Sequence, residues 1–329
     1  MLSIEQWRRI LKDTAEVGLE KMSISGGEPT LYPYLVGLIK EAKMNNINVQ
    51  LNTNGSLITQ ELAVKLLDAG LDSVMVSIYS HEASRHDALR RHKGLWEKAT
   101  GAVRIFSELR KQYPHFIVKT QTVLLRENYR HLHELLMLHQ SLGSCKSHVS
   151  YLEGDFLKEY LMNLDEITYF KNRVVPKLVD FCSTLDPSLI AESVKAVKNI
   201  MSEEVGTPED LAQGIYWKKD SCLIPQNFTI ILGNGDVHPC NIVEYTHEPI
   251  MGNLFENNFK DIWYSEKWNR FRAERFDTCE FCPMNLHTTI PLSPEAITVP
   301  KKFSKVNIIP KNWITWLYRK YLSASGWAS

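Results

Sequence analysis

Met22-Ser23-Ile24-Ser25-Gly26-Gly27-Glu28-Pro29 is the stretch that decides the fold. A short strand runs into two glycines, an acid and a proline. Glycines at a strand end let the backbone approach a ligand closely and present its carbonyl and N–H groups. The Glu28 carboxylate beside them can pair with an ammonium group. A strand end ahead of its helix is also where a parallel βα barrel places its active face. A lone Gly-Gly reads as a simple strand-to-helix turn, so the surrounding sequence has to decide.

Working outward, helix and strand periods alternate through the first 155 residues. Ile4, Trp7, Leu11 and Ala15 recur at helical spacing before the Met22–Ser25 strand. Helices follow around 34–43, 60–69, 95–109 and 129–142, and strands at 48–52, 73–77, 116–124 and 148–152. Strands separated by helices predict a parallel sheet built from βα units. No dinucleotide fingerprint accompanies them, which points to a barrel or part of one. Residues 164–204 read as helical throughout.

Composition sets limits on function. Hydrophobic residues make up 44% and charged residues 23% of the 329, as in an ordinary globular protein. Lys+Arg and Asp+Glu number 38 each, so no bulk field draws the chain to nucleic acid. No stretch approaches the roughly 20 apolar residues of a transmembrane helix, and the N-terminus lacks a signal-peptide layout. The expected compartment is the cytoplasm, where structural disulfides are rare.

The pattern changes at Cys222, with a domain boundary expected at roughly 205–220. Phe228–Leu232, Gly233-Asn234-Gly235-Asp236 and Val237–Ile242 read as strand, tight turn and strand, and an amphipathic helix follows near 259–271. Of six cysteines, Cys145 and Cys182 are isolated and read as buried apolar residues. Cys222, Cys240, Cys279 and Cys282 form a group in which the hairpin returns Cys240 towards Cys222 and the CxxC adds a close pair. Four thiolates so arranged can hold zinc or a [4Fe–4S] cluster, and spacing alone favours zinc because all-cysteine zinc sites are commoner. His131 and His133 sit two apart on a helix, on different faces, and His81, His86 and His92 have no partner at ligand spacing. All five read as surface or packing residues, and no catalytic residue is assigned.

Gly26-Gly27-Glu28-Pro29 resembles the GGEP motif of radical S-adenosylmethionine (radical SAM) enzymes. Asn52-Thr53-Asn54-Gly55 resembles the TNG that closes that family's next strand, and Ser73–Ile78 resembles the strand after it. His86-Asp87, then Lys93-Gly94 and a helix, match the usual sequel. The resemblance implies an α/β fold: a partial (β/α)6 TIM-like barrel at 1–155, a helical connector at 156–215, a small α+β domain at 216–290 and a tail at 291–329. It implies that Ser25, Gly26, Gly27, Glu28, Pro29, Asn52, Asn54 and Ser77 hold S-adenosylmethionine. The strand continues as Ser77-Ile78-Tyr79-Ser80 where relatives often have Ser-Ile-Asp-Gly, so the Tyr79 phenol stands in place of that acid. The stretches Gly235–Cys240, Met251–Leu254, Asp261–Trp263 and Cys279–Cys282 look like a SPASM or "twitch" domain. That resemblance reverses the metal preference, to one auxiliary [4Fe–4S] cluster on Cys222, Cys240, Cys279 and Cys282, with zinc second.

No cysteine precedes Cys145, so the family's CxxxCxxC loop and its first strand are missing from these residues. The sequence is expected to be N-terminally truncated, to leave one edge of the Met22–Ser25 strand exposed unless a second chain or the C-terminal domain covers it, and to release no 5′-deoxyadenosine. The function implied is a SAM-dependent radical oxidoreductase or maturase, with a peptide or small-molecule substrate and an electron-donor protein. The alternatives are a non-catalytic SAM and iron–sulfur binding protein, or a structural protein with a four-cysteine zinc site. The tail, with Trp313, Trp316, Tyr318, Tyr321 and Trp327, is expected to pack on its own protein.

Overall fold

A computed structural model describes residues 2–152, 155–202, 205–214, 224–240, 249–278, 288–296 and 312–316. Its first helix, α1 (Ile4–Glu16), starts at a reciprocal cap. Ser3 Oγ accepts from Gln6 N–H at 3.2 Å and Gln6 Oε1 accepts from Ser3 N–H at 2.8 Å. Strands β1 (Leu19–Ile24), β2 (Asn48–Thr53), β3 (Ser73–Ser77), β4 (Ile117–Val123) and β5 (Lys146–Ser150) then pair in parallel, each with the next. The connecting helices are α2 (Leu35–Met44), α3 (Gln60–Asp68), α4 (Ala83–Leu89), α5 (Leu95–Leu109) and α6 (Leu132–Ser141).

Strands that follow one another in space, joined by right-handed crossovers, place every helix on the same face of the sheet. That face must be apolar. Met22, Val49, Leu51, Val74, Val76, Val118 and Val149 are all fully buried and form one core with Leu38, Ile39, Leu66, Phe106 and Leu136 of the helices. The alternate residues of the same strands face the other way and are mostly polar: Lys21, Ser23, Gln50, Asn52, Ser73, Ser77, Lys119, Gln121, Lys146 and His148, with Met75, Ile117 and Val123 among them. Parallel strands that carry their crossover helices on one face turn the other face towards a barrel interior.

The expected all-helical stretch contains Leu164–Tyr169, a π-helical turn at Phe170–Val174, Val175–Cys182 and Pro187–Asn199. Cys145 and Cys182 are buried, as expected of small apolar side chains, and burial pushes the Cys182 thiol up to about 11. The expected hairpin is present as β6 (Phe228–Ile231) and β7 (Asp236–His238), closed where Leu232 and Asp236 bond at 2.8 Å. The helix expected near 259–271 is two, Phe259–Trp263 and Glu266–Thr278. Ser265 Oγ accepts from Trp268 N–H and starts the second.

One expectation is overturned. The edge of β1 is not exposed, because β10 (Asn312–Trp316) lies parallel between β1 and β6. An open row of backbone donors and acceptors is a ready template for another strand, and the tail supplies one. With β8 (Gly252–Asn253) and β9 (Thr288–Pro291), the ten strands of the described residues run β8-β7-β6-β10-β1-β2-β3-β4-β5-β9 in a single sheet. Among the described residues no helix is long and apolar enough to cross a membrane.

Candidate functional site at the strand ends

The C-terminal ends of β1, β2 and β3 lie side by side, and Glu28 ties the first two together. Its Oε1 accepts from Thr53 Oγ1 at 2.7 Å, Thr30 Oγ1 at 2.6 Å and Thr30 N–H at 3.1 Å, while its Oε2 accepts from Asn54 N–H at 2.7 Å. The carboxylate therefore has partners within the chain, where the sequence offered it to an external ammonium group. It acts as a brace between the two loops. Thr53, which the motif reading passed over, also accepts from Gly55 N–H at 3.0 Å. The Thr of the TNG motif was the available signal.

The two glycines that matter do different things. Gly26 has φ of 144°, a backbone conformation open to residues without a Cβ, and so presents bare main chain at the rim. Gly55 has φ of 79°, and a Cβ there would meet Ala99 Cα at 2.8 Å, so its hydrogen lets the β2 turn sit against α5. Pro29 is buried and opens the single turn Pro29–Leu31.

Asn52 Oδ1 accepts from Gln50 Nε2 at 2.9 Å, and Asn54 Oδ1 accepts from Ser56 N–H at 2.8 Å. Ser77 closes β3 opposite Gln121 of β4. The strand end after it is fixed from three sides. Tyr79 N–H donates to His86 Nδ1 at 3.1 Å, Asn128 Nδ2 donates to the Tyr79 carbonyl at 3.1 Å, and Trp96 Nε1 donates to the Ser80 carbonyl at 3.1 Å. His86 is fully buried, and burial, helped by the Arg90 charge, pushes its pKa down to about 4. A neutral ring accepting at Nδ1 carries its proton on Nε2. Asp87 has an equally local task. Burial would raise its carboxyl, but the N–H groups of Trp96 (2.9 Å) and Gly94 (2.5 Å) outweigh that and hold it below its usual value. It thereby caps α5.

Of the four cysteines expected to bind metal, Cys240 is described, half-buried just beyond β7. Cys222, Cys279 and Cys282 lie outside the described residues. The histidines sit closer together than the sequence indicated. The His81 and His131 rings stand 5.2 Å apart, and Glu134 Oε1 and Oε2 lie 3.6 and 2.6 Å from His131 and His133. Even so, among the described residues no three such groups are placed to hold a metal.

A methionine-derived cofactor fits this rim. Bare backbone at Gly26 offers carbonyl and amide groups, Asn54 and Ser77 offer polar side chains on adjacent strand ends, and Glu28 ties the Gly26 loop to Asn54. The radical SAM superfamily profile matches residues 1–138, and the profile of the SPASM iron–sulfur cluster-binding domain matches 222–283, a span holding all four grouped cysteines. An AdoMet-dependent heme synthase of Oleidesulfovibrio alaskensis is 25% identical over 294 residues, covering 85% of this chain and 72% of its own. A PqqA peptide cyclase of Bradyrhizobium diazoefficiens is 26% identical over 293 residues, covering 85% and 71%. In fold, the chain is similar to Streptococcus suis SuiB bound to its precursor peptide SuiA, at TM-score 0.60 and 16% identity. That match covers 83% of this chain and 60% of SuiB.

Proposed function

This chain belongs to the radical SAM superfamily and carries its SPASM domain, and we propose that it binds S-adenosylmethionine and one auxiliary cluster as a SAM-dependent maturase does. Ser25, Gly26, Gly27 and Pro29 would hold the methionine end of S-adenosylmethionine on their backbone, with Asn52, Asn54 and Ser77 on its polar periphery. Glu28 keeps the first two strand ends in register. When bound, the cofactor supplies a cleavable sulfonium carbon–sulfur bond. The observation that carries the reading is the Glu28 brace, which joins the two loops whose sequences mark the family.

Cys222, Cys240, Cys279 and Cys282 would hold one auxiliary [4Fe–4S] cluster. Four thiolates suit iron–sulfur or zinc, and the iron–sulfur profile spanning all four supports iron. With every ligand supplied by protein, the cluster would serve electron transfer or structural support. The radical step needs three further converging thiolates, and these residues hold no CxxxCxxC. The heme synthase and peptide cyclase relatives support a substrate that is a peptide or a small metabolite. An electron-donor protein would complete the system.

Equilibrium dialysis against labelled S-adenosylmethionine, after anaerobic reconstitution with iron and sulfide, tests the cofactor assignment. Saturable binding that weakens several-fold in Gly26→Ala is the expected result. Equal binding by both proteins would rule out the rim as the cofactor site.

A further inference from the structure

On the polar face of the sheet, side chains from three strands join in one chain of hydrogen bonds below the rim. Lys119 of β4 stands level with Met75 of β3, and Met75 with Asn52 of β2. β2 and β4 lie two strand spacings apart, roughly 10 Å, yet Lys119 Nζ donates to Gln50 Oε1 at 2.6 Å. The lysine therefore reaches across β3. Ser73, paired with Gln50 in the register, donates its hydroxyl to the same oxygen at 3.4 Å. Gln50 Nε2 then donates to Asn52 Oδ1 at 2.9 Å. Gln50 and Ser73 are buried, while Lys119 and Asn52 are half-buried.

This chain of bonds has a direction. A side-chain amide packs nearly as well with its oxygen and nitrogen exchanged, so packing alone leaves Gln50 and Asn52 either way round. An ammonium group has donors and no acceptor. Against Lys119, Gln50 must present its oxygen, which leaves Nε2 for the next residue. Facing that donor, Asn52 must in turn present oxygen. Burial pushes Lys119 below the ordinary lysine value, while the bond to the amide oxygen favours the ammonium form, because a charged donor makes the stronger hydrogen bond. What remains is Asn52 Nδ2, which has no acceptor among the described residues. The last β1–β2 pair is Ile24 with Leu51. One residue on, Asn52 comes level with Ser25, at the foot of the Gly26 loop.

We propose that Lys119 is a positioning residue: acting through Gln50, it locks the Asn52 amide as a hydrogen-bond donor to an oxygen of the bound cofactor. The inference rests on the reading of the rim as the S-adenosylmethionine site. That molecule carries acceptor oxygens on its carboxylate and on its ribose. An exchanged Asn52 amide would set its own oxygen against them and turn an attraction into a repulsion. Lys119 acts from two strands away and need not touch the cofactor itself.

Gln50→Glu separates this role from simple support of the fold. The carboxylate keeps and strengthens the bond from Lys119. It has no donor for Asn52, however, which must turn Nδ2 towards it and its own oxygen towards the ligand. In equilibrium dialysis of the reconstituted 329-residue chain, Gln50→Glu and Lys119→Met should each weaken S-adenosylmethionine binding several-fold. In an Asn52→Ala background, Gln50→Glu should cost nothing further, which separates the amide lock from a plain charge effect. Decarboxylated S-adenosylmethionine provides the second arm. A loss confined to the intact cofactor assigns the carboxylate, and an equal loss with both assigns a ribose oxygen. Without cofactor or cluster, the nuclear magnetic resonance signals of the Asn52 side-chain amide, identified by their loss in Asn52→Ala, should move in Gln50→Glu. Unmoved signals would overturn the proposal, as would parent-like affinity in either variant or a weakening that persists in Asn52→Ala. If Lys119→Met does not fold, Gln50→Glu decides alone. A parent chain that binds no cofactor would sink the rim reading, and the amide signals would then decide the lock.

Discussion

Glu28 accepts a hydrogen bond from Thr53 Oγ1 at 2.7 Å, joining the loop after the first strand to the end of the second across 25 residues of sequence. With the Asn54 N–H bond on its other oxygen, it makes two strand ends one rigid rim. Gln at this position would keep the shape but turn one acceptor into an NH2 group facing a donor. Glu28→Gln should therefore cost about 2–3 kcal/mol, read as a lower urea midpoint at unchanged m-value. A variant as stable as the parent would mean that the brace contributes nothing.

Gly55 tests the packing of the neighbouring turn. Its φ of 79°, and the 2.8 Å at which an added Cβ would meet Ala99, make alanine both strained and overpacked. Gly55→Ala should lose roughly 2–4 kcal/mol, whereas Gly101→Ala, in open space on α5, should lose none. Equal stabilities would contradict the close approach of the turn to the helix.

Acid should weaken the fold before carboxylates titrate. His86 and His139 are fully buried, and burial pushes them down to about 4 and about 3. The unfolded chain, with histidines near the ordinary value of about 6.5, binds more protons than the native state between these limits. Stability is thus fully present above about pH 6.5 and falls as pH drops towards 4, by up to roughly 3 kcal/mol for His86. Urea midpoints at pH 7 and pH 5 should show the fall, and His86→Asn, which keeps an acceptor for Tyr79 N–H, should flatten it. A slope unchanged in the variant would assign the effect elsewhere.

The tail strand predicts a protection pattern. Because β10 pairs along β1 from Leu19 to Ile24, amides of this segment should exchange slowly in the whole chain. They should exchange faster once residues 297–329 are removed. Equal exchange in the two would return β1 to the exposed edge that the sequence led one to expect.

Much of this was legible in the residues. The alternation of periods placed β2 and β3 within a residue of their observed ends. β5 begins two residues before the expected His148, since Lys146 and Ser147 carry no strand signature and owe their place to pairing with β4. The pairing of β10 with β1, and of β9 with β5, joins segments far apart in sequence, and no local pattern encodes it. At the site, the motif residues were legible as a group, but the inward turn of Glu28 was not. A carboxylate beside two glycines looks available until its four donors are placed around it.

A cofactor rim and one iron–sulfur centre on the same chain are the central claim. Its most direct test is the iron, acid-labile sulfide and zinc content of the anaerobically reconstituted protein, compared with Cys240→Ala and Cys279→Ala. About four irons and four sulfides per chain, with broad visible absorbance lost in both variants, is the predicted result. One zinc per chain with no sulfide would contradict it.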